Sequence, residues 1–150
     1  GYDEKFDYVI CSDVLEHVVP PVQSAFDNLL GLLKPGGTLI FSVPYNLEEK
    51  TTEHFPDLCT FEIVFDDGKP PKLRNETVDG EVQWFEDLIF HGAANEGAAL
   101  EMRTFCERDV FKHLEFAGFV NIEKANWESS EFGVRWIDNW SLPLVARKPI

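Results

Sequence analysis

Two Glu-His pairs are the residues of this sequence best suited to chemistry. Glu16-His17 lies in "CSDVLEHVVPP", residues 11–21, and Glu53-His54 lies in "TTEHFPD", residues 51–57. Imidazole exchanges a proton near neutral pH, and a neighbouring carboxylate accepts hydrogen bonds, so such pairs suit proton transfer. Mixed His and carboxylate clusters also hold divalent metals. The spacing here follows no compact zinc pattern, so no metal is expected. Adjacent helical residues diverge by about 100°, so Glu16 and His17 are not both expected to face one small site. Leu15 and Val18 are expected to pack, leaving Glu16 or His17 partly exposed. The candidate catalytic residues are therefore His54, as a general base, with Glu53 and His17.

A second candidate group is Cys11-Ser12-Asp13. It joins an apolar run, residues 6–10, to a polar turn. Open α/β sheets keep their ligands at such strand-to-helix junctions. Ser12 or Asp13 equally suits a helix N-cap. His91 and Arg103 could bind an anionic group, although an ordinary ion pair accounts for Arg103 in so acidic a chain. Trp84, Trp127, Trp136 and Trp140 could line an aromatic pocket or be buried against a sheet.

These residues need elements to position them. Residues 6–11 read as a strand apolar on both faces, which points to parallel neighbours covered by helices. Val22, Ala25, Phe26, Leu29, Leu30 and Leu33 recur at helical spacing. Lys34 and then Pro35-Gly36-Gly37 are expected to stop that helix. Residues 38–43, "TLIFSV", read as a second buried strand, completing a β-α-β unit. The middle of the chain has short β-type runs separated by Asp66-Asp67-Gly68 and by Asp79-Gly80. The Asp79-Gly80 pair predicts a hairpin within a small antiparallel meander. "FHGAANEGAAL", residues 90–100, reads as a glycine- and alanine-rich loop. Val110, Phe111, Leu114, Phe116 and Ala117 predict a helix ending at Gly118. Residues 119–127 and 141–148 read as the last two strands.

The chain has 150 residues and a formal net charge of −14. One domain with one core fits this length. The charge disfavours nucleic acid as a partner, because phosphate backbones are repelled. No apolar run approaches the roughly 20 residues of a membrane span, so no membrane partner is expected. The three cysteines form no C-x-x-C pair and read as free thiols. With no secretory signal pattern, the expected location is cytoplasmic.

The order of strand, helix, "KPGG", strand, insertion, helix ending in "AGF", strand and strand resembles the C-terminal half of class I S-adenosylmethionine-dependent methyltransferases. "FDYVICSDVLEHV" looks like their fourth strand and its turn. "LLGLLKPGGTLIFSVP" looks like the next helix and fifth strand. "RTFCERDVFKHLEFAGFVNIE" looks like the helix and sixth strand after an insertion, and "LPLVARK" like the antiparallel seventh strand. The resemblance implies an α/β fold: a partial doubly wound, Rossmann-like sheet with an antiparallel last strand and an inserted antiparallel meander. Residues 1–150 would form a single α/β domain, with 45–100 inserted as a cap on the substrate side. It implies S-adenosylmethionine as cofactor, lined by Cys11, Ser12 and Asp13, and methyl transfer to a small-molecule acceptor.

The family's D-x-G-x-G turn and its ribose-binding acid are absent from these residues. The expectation is that the chain lacks the main cofactor-binding motif, resembles a fragment, and binds S-adenosylmethionine poorly alone. Residues 6–11 would then be an apolar edge strand, and self-association through it is expected. Two other readings stay open: a non-catalytic α/β interaction module, and a nucleotide-dependent oxidoreductase. The second is disfavoured by the antiparallel last strand.

Overall fold

The computed structural model describes residues 3–91 and 99–150. In chain order the elements are β1 (Phe6–Ser12), a 3-10 turn (Leu15–His17), α1 (Gln23–Leu32), β2 (Leu33–Ser42), β3 (Tyr45–Asn46), β4 (Thr52–Glu53), β5 (Thr60–Val64), β6 (Lys72–Glu76) and β7 (Val82–Phe85). Then follow β8 (Phe90–His91), β9 (Ala99–Leu100), β10 (Arg103–Cys106), α2 (Glu107–Ala117), β11 (Val120–Lys124) and β12 (Leu144–Arg147). The chain divides into two compact units. The first comprises Gly1–Thr52 with Thr104–Ile150, and the second is Glu53–Arg103.

In the first unit β1 and β2 pair in parallel, with Val9 opposite Leu39, Cys11 opposite Phe41 and Ser12 opposite Ser42. Parallel neighbours cannot be joined by a tight turn, and α1 makes the crossover. Its apolar stripe buries Phe26 completely. The Phe26 ring lies 5.6 Å from Phe41 and 6.3 Å from Phe105, and it stacks on the His113 ring at 5.0 Å. The antiparallel β12 follows β2, and β11 closes the order β1-β2-β12-β11. This is the partial doubly wound sheet with an antiparallel last strand that the sequence predicts. Among the described residues β1 pairs only with β2, and one face of it is open: Tyr8 is 68% and Ile10 74% exposed. Val9 and Cys11 point the other way and pack into the core.

The helix stop differs in detail from the sequence reading. α1 ends at Leu32, and Lys34-Pro35-Gly36-Gly37 bulge within β2, where the register jumps from Phe6–Leu33 to Tyr8–Thr38. The C-terminal tail holds the bulge: the Gly36 N–H donates to Lys148 O at 3.1 Å, and the Lys148 N–H donates to Gly37 O at 2.9 Å. A Cβ on Gly37 would come within 2.9 Å of Lys34 O, so only glycine fits there. β11 is also shorter than the predicted 119–127. Asn121 takes φ +51 and the pairing slips between Val120 and Glu123, then resumes with Glu123 opposite Val145 and Lys124 opposite Leu144. α2 ends as expected, with Gly118 at φ +104 and its N–H donating to Glu115 O. Left-handed backbone of this kind favours glycine.

The second unit holds the predicted meander, β5-β6-β7, with both pairs antiparallel. The Asp79-Gly80 turn joins β6 to β7, with Gly80 at φ +82 and the Thr77 N–H donating to Glu81 O. Leu73 and Met102 are buried with Phe55 and Leu100. Asn75 is fully buried and satisfied: it accepts from the Cys59 N–H and donates to Asp57 O and Gln83 Oε1. β8 and β9 pair antiparallel, Phe90 with Leu100 and His91 with Ala99. Residues 92–98 of the predicted glycine- and alanine-rich loop lie outside the described residues.

The tryptophans form no buried layer. Trp84, Trp127 and Trp140 are exposed, and Trp136 donates its Nε1–H to Trp127 O at 2.9 Å. All three cysteines are free, with Cys59 exposed. No helix among the described residues is long and apolar enough to cross a membrane.

At the start of α2, Asp109 accepts the Thr51 backbone N–H at 2.9 Å and pairs with Lys112 Nζ at 3.1 Å. The Thr51 N–H leads the hydrogen bonds that hold its carboxyl well below the usual range, outweighing partial burial. A helix N-terminus favours this negative charge as well. A depressed folded-state pKa means that the unfolded chain binds the proton more tightly, so stability rises with pH. The contribution is complete above the ordinary carboxyl value of about 3.9 and is lost as pH falls below it. Asp109→Asn is expected to cost about 1–2 kcal/mol at neutral pH. Urea titrations from neutral to acidic pH should show the gap between the two proteins closing on acidification. A gap that is constant with pH would contradict this account.

Candidate functional site

The C-terminal ends of β1 and β2 meet at a polar cluster. Ser12 Oγ donates to Asp13 Oδ2 at 2.8 Å and lies 2.7 Å from Ser42 Oγ. A hydroxyl has one hydrogen, so with Ser12 committed to Asp13, Ser42 donates to Ser12. The Asp13 N–H donates to Ser42 O at 2.9 Å, which carries the strand pairing one residue past β1. Asp13 has φ +51. A non-glycine residue in this region costs about 1 kcal/mol or more, and such strain gathers at functional sites. Neither Ser12 nor Asp13 caps the following turn, because its N-cap is Val14 with no side-chain bond.

Charge at this strand end is negative. Burial pushes the Cys11 thiol pKa up, and the Glu16 and Asp13 carboxylates push it further. Glu16 is only 1% exposed, and His17 Nε2 lies 3.7 Å from its carboxylate. The sequence reading has one member of that pair partly exposed. The structure makes it His17, and the 3-10 turn sends Glu16 inward beside Leu15.

The other Glu-His pair belongs to the second unit, whereas His17 belongs to the first. Glu53 Oε1 accepts from Arg103 Nε at 2.8 Å, and Arg103 is wholly buried. The His54 N–H donates to Met102 O at 2.9 Å. Its ring Nε2 lies 2.8 Å from Glu101 Oε1, and His91 Nε2 lies 2.6 Å from Glu101 Oε2. The structure thus gathers Glu53, His54, His91 and Arg103 about the segment 101–103. Glu101 was missed in the sequence. Its signal was the alternation Leu100-Glu101-Met102-Arg103, in which Leu100 and Met102 enter the apolar cluster and the charged residues interleave. Alternating side chains of an extended chain point to opposite sides.

A family model for a methyltransferase domain matches residues 2–124. The chain belongs to that methyltransferase family. The resemblance to class I S-adenosylmethionine-dependent methyltransferases therefore holds at the level of family, and no curated protein matches the chain. Among solved structures it is similar to the 1,6-didemethyltoxoflavin-N1-methyltransferase of Burkholderia thailandensis, with bound 1,6-didemethyltoxoflavin and S-adenosylhomocysteine. The identity is 18% and the TM-score 0.46, over 99% of this chain and 46% of that one. An S-adenosylmethionine-dependent methyltransferase of Mesorhizobium loti shows 19% identity and TM-score 0.44, over 97% of this chain and 64% of the other. An amino pentose methyltransferase of Micromonospora echinaspora involved in calicheamicin biosynthesis, with S-adenosylmethionine bound, shows 15% identity and TM-score 0.44, over 95% and 58%. The chain spans less than two thirds of the length of each of these structures.

S-adenosylmethionine carries a positive sulfonium, and the methyltransferase strand end offers what a cation requires: Asp13 exposed beside Ser12, and Glu16 buried behind. The donor set there fits the cofactor's charged half.

The Glu53–Arg103 pair sets the footing on which His54 stands. Arg103 is buried and Glu53 is partly exposed, so water screens one side of the pair only. Glu53→Gln keeps an acceptor but removes the countercharge of a buried guanidinium. The expected loss is about 1–2 kcal/mol, read as a lower urea midpoint at unchanged slope. A midpoint equal to that of the unmodified chain would show that Glu53 carries no structural load.

Proposed function

We propose that this chain serves transfer of a methyl group from S-adenosylmethionine to a small-molecule acceptor. In this reading Cys11, Ser12 and Asp13 lie against the cofactor, and residues 45–100 form the acceptor side. The observation that carries it is the strained, negatively charged strand end at Ser12-Asp13 in a chain of the methyltransferase family. Sulfonium methyl donors are already activated, so the protein's main work is to hold the acceptor in line. An acceptor hydroxyl or amine also has to lose a proton. His54 is our candidate for receiving it, with Glu53 and His17 as further candidates.

The reading that competes is a non-catalytic interaction module. It is favoured by one observation: no D-x-G-x-G turn occurs within these 150 residues. Titration of the ¹⁵N-labelled chain with S-adenosylhomocysteine separates the two. Binding is expected to be weaker than about 100 μM, which is roughly 5–6 kcal/mol, with amide shifts centred on Cys11, Ser12 and Asp13. No shift at these residues with millimolar ligand would sink the methyltransferase reading. A low-micromolar constant would sink the weak-binding half of it.

We also propose self-association through the edge at residues 6–11. Among the described residues β1 pairs with β2 alone, as the outermost strand of its sheet, and it shows Tyr8 and Ile10 to solvent. Unpaired apolar edges template further strands. The charge of −14 opposes association, but salt screens it beyond about 8–10 Å. Sedimentation in moderate salt should give a dimer, and Ile10→Lys should give a monomer. Ile10 is chosen because Val9 packs inward. A folded monomer for the unmodified chain would end the proposal.

A further inference from the structure

Glu101 is the meeting point of three segments of the second unit. Its backbone N–H donates to Ile89 O at 2.8 Å, next to the β8-β9 pair that carries His91. His54 arrives from a position 47 residues away in sequence, held by its own N–H on Met102 O and set edge-on to Phe55 at 6.3 Å. Both oxygens of the Glu101 carboxylate are engaged, each by the Nε2 of a different histidine. The carboxylate is 11% exposed, with the His54 side chain at 19% and the His91 side chain, nearer the surface, at 39%.

An ionised carboxylate only accepts hydrogen bonds. Each ring nitrogen that faces it must therefore carry a hydrogen. A neutral imidazole has a single N–H, so a hydrogen on Nε2 leaves the lone pair on Nδ1.

We propose that Glu101 is a positioning residue. It holds His54 and His91 in the Nε2–H tautomer, so that each presents its proton-accepting lone pair at Nδ1. Resting on the acceptor-side reading above, His54 Nδ1 is then the atom that takes the acceptor's proton. The O–H or N–H proton passes to Nδ1, and its bonding pair stays on the acceptor atom. The negative Glu101 faces the imidazolium so formed at 2.8 Å. Glu101 does not touch the acceptor in this scheme and acts only through the two rings.

The arrangement can be read directly, without ligand and without turnover. Long-range ¹H–¹⁵N correlation spectra of the labelled chain at about pH 9, above the ordinary histidine value, report which ring nitrogen is protonated. Histidine signals are assigned from His54→Gln and His91→Gln. The expected result is a pyrrole-type Nε2 and a pyridine-type Nδ1 for both His54 and His91. Glu101→Gln offers one acceptor and one donor end. It should therefore switch exactly one of the two rings to the Nδ1–H tautomer, while Glu101→Asp should preserve the original pattern. A purely structural role would lower the melting temperature without moving tautomers.

An Nδ1–H tautomer for either ring in the unmodified chain overturns the proposal. So does a Glu101→Gln variant with both rings unchanged. Zinc ion added to the chain is a third test, because a metal requires unprotonated nitrogens. Tight binding that removes both Nε2 hydrogens would make Glu101 a metal ligand and overturn the proposal. If Glu101→Gln fails to fold, the spectrum of the unmodified chain still decides. Failure here leaves the S-adenosylhomocysteine titration untouched, and failure there leaves the tautomers untouched.

Discussion

The parallel ladder between β1 and β2 is the constraint on which the first unit rests. Two parallel strands cannot be closed by a hairpin, so about twenty residues must travel back over one face before the second strand begins. α1 does this, and Phe26 anchors it to the ladder through Phe41. The same ladder brings the two C-terminal strand ends together, Ser12 beside Ser42. Polar groups gathered there have no further strand residues to bond, so they bond one another and hold Asp13 in a left-handed conformation. The candidate cofactor contact is thus a consequence of how parallel strands end.

Charge is the second theme. The chain carries an excess of acid, yet it encloses several ionisable side chains wholly or in part, and each has specific contacts. Arg103 sits on Glu53, and Asp109 takes the Thr51 N–H and Lys112. Each oxygen of Glu101 lies against the Nε2 of a histidine. Glu16 lies beside His17. Burying a charge without partners would cost several kcal/mol, so these contacts restrict the conformations open to the segments that carry them. In the second unit this matters most, because its apolar cluster is small. There the polar contacts of Asn75, Glu101 and Arg103 supply much of what specifies the arrangement.

The fold was largely legible from local pattern. The helix signalled by the spacing of Val22 to Leu30, the Asp79-Gly80 turn and the stop at Gly118 all appear where the residues place them. Each is set by interactions within a few positions, or by a backbone angle that glycine adopts most easily. "KPGG" was read only in part. It ends the helix, but its tertiary role as a bulge depends on Lys148, over a hundred residues away. Likewise the pairing of β11 slips where Asn121 takes φ +51, which nothing in the alternation of residues 119–127 signals.

The sequence by itself determined the class of fold, the two Glu-His pairs and the polar strand end, because periodicity and residue type are local properties. It could not decide which partner each ionisable group takes. Glu16 goes inward while His17 stays partly exposed, and that choice follows from the 3-10 geometry and the packing of Leu15. His54 meets Glu101 rather than its neighbour Glu53, which Arg103 has taken. Such pairings join residues some fifty positions apart. They form only once loop closure has been compensated by core packing, so no local pattern encodes them and the tertiary structure alone assigns them.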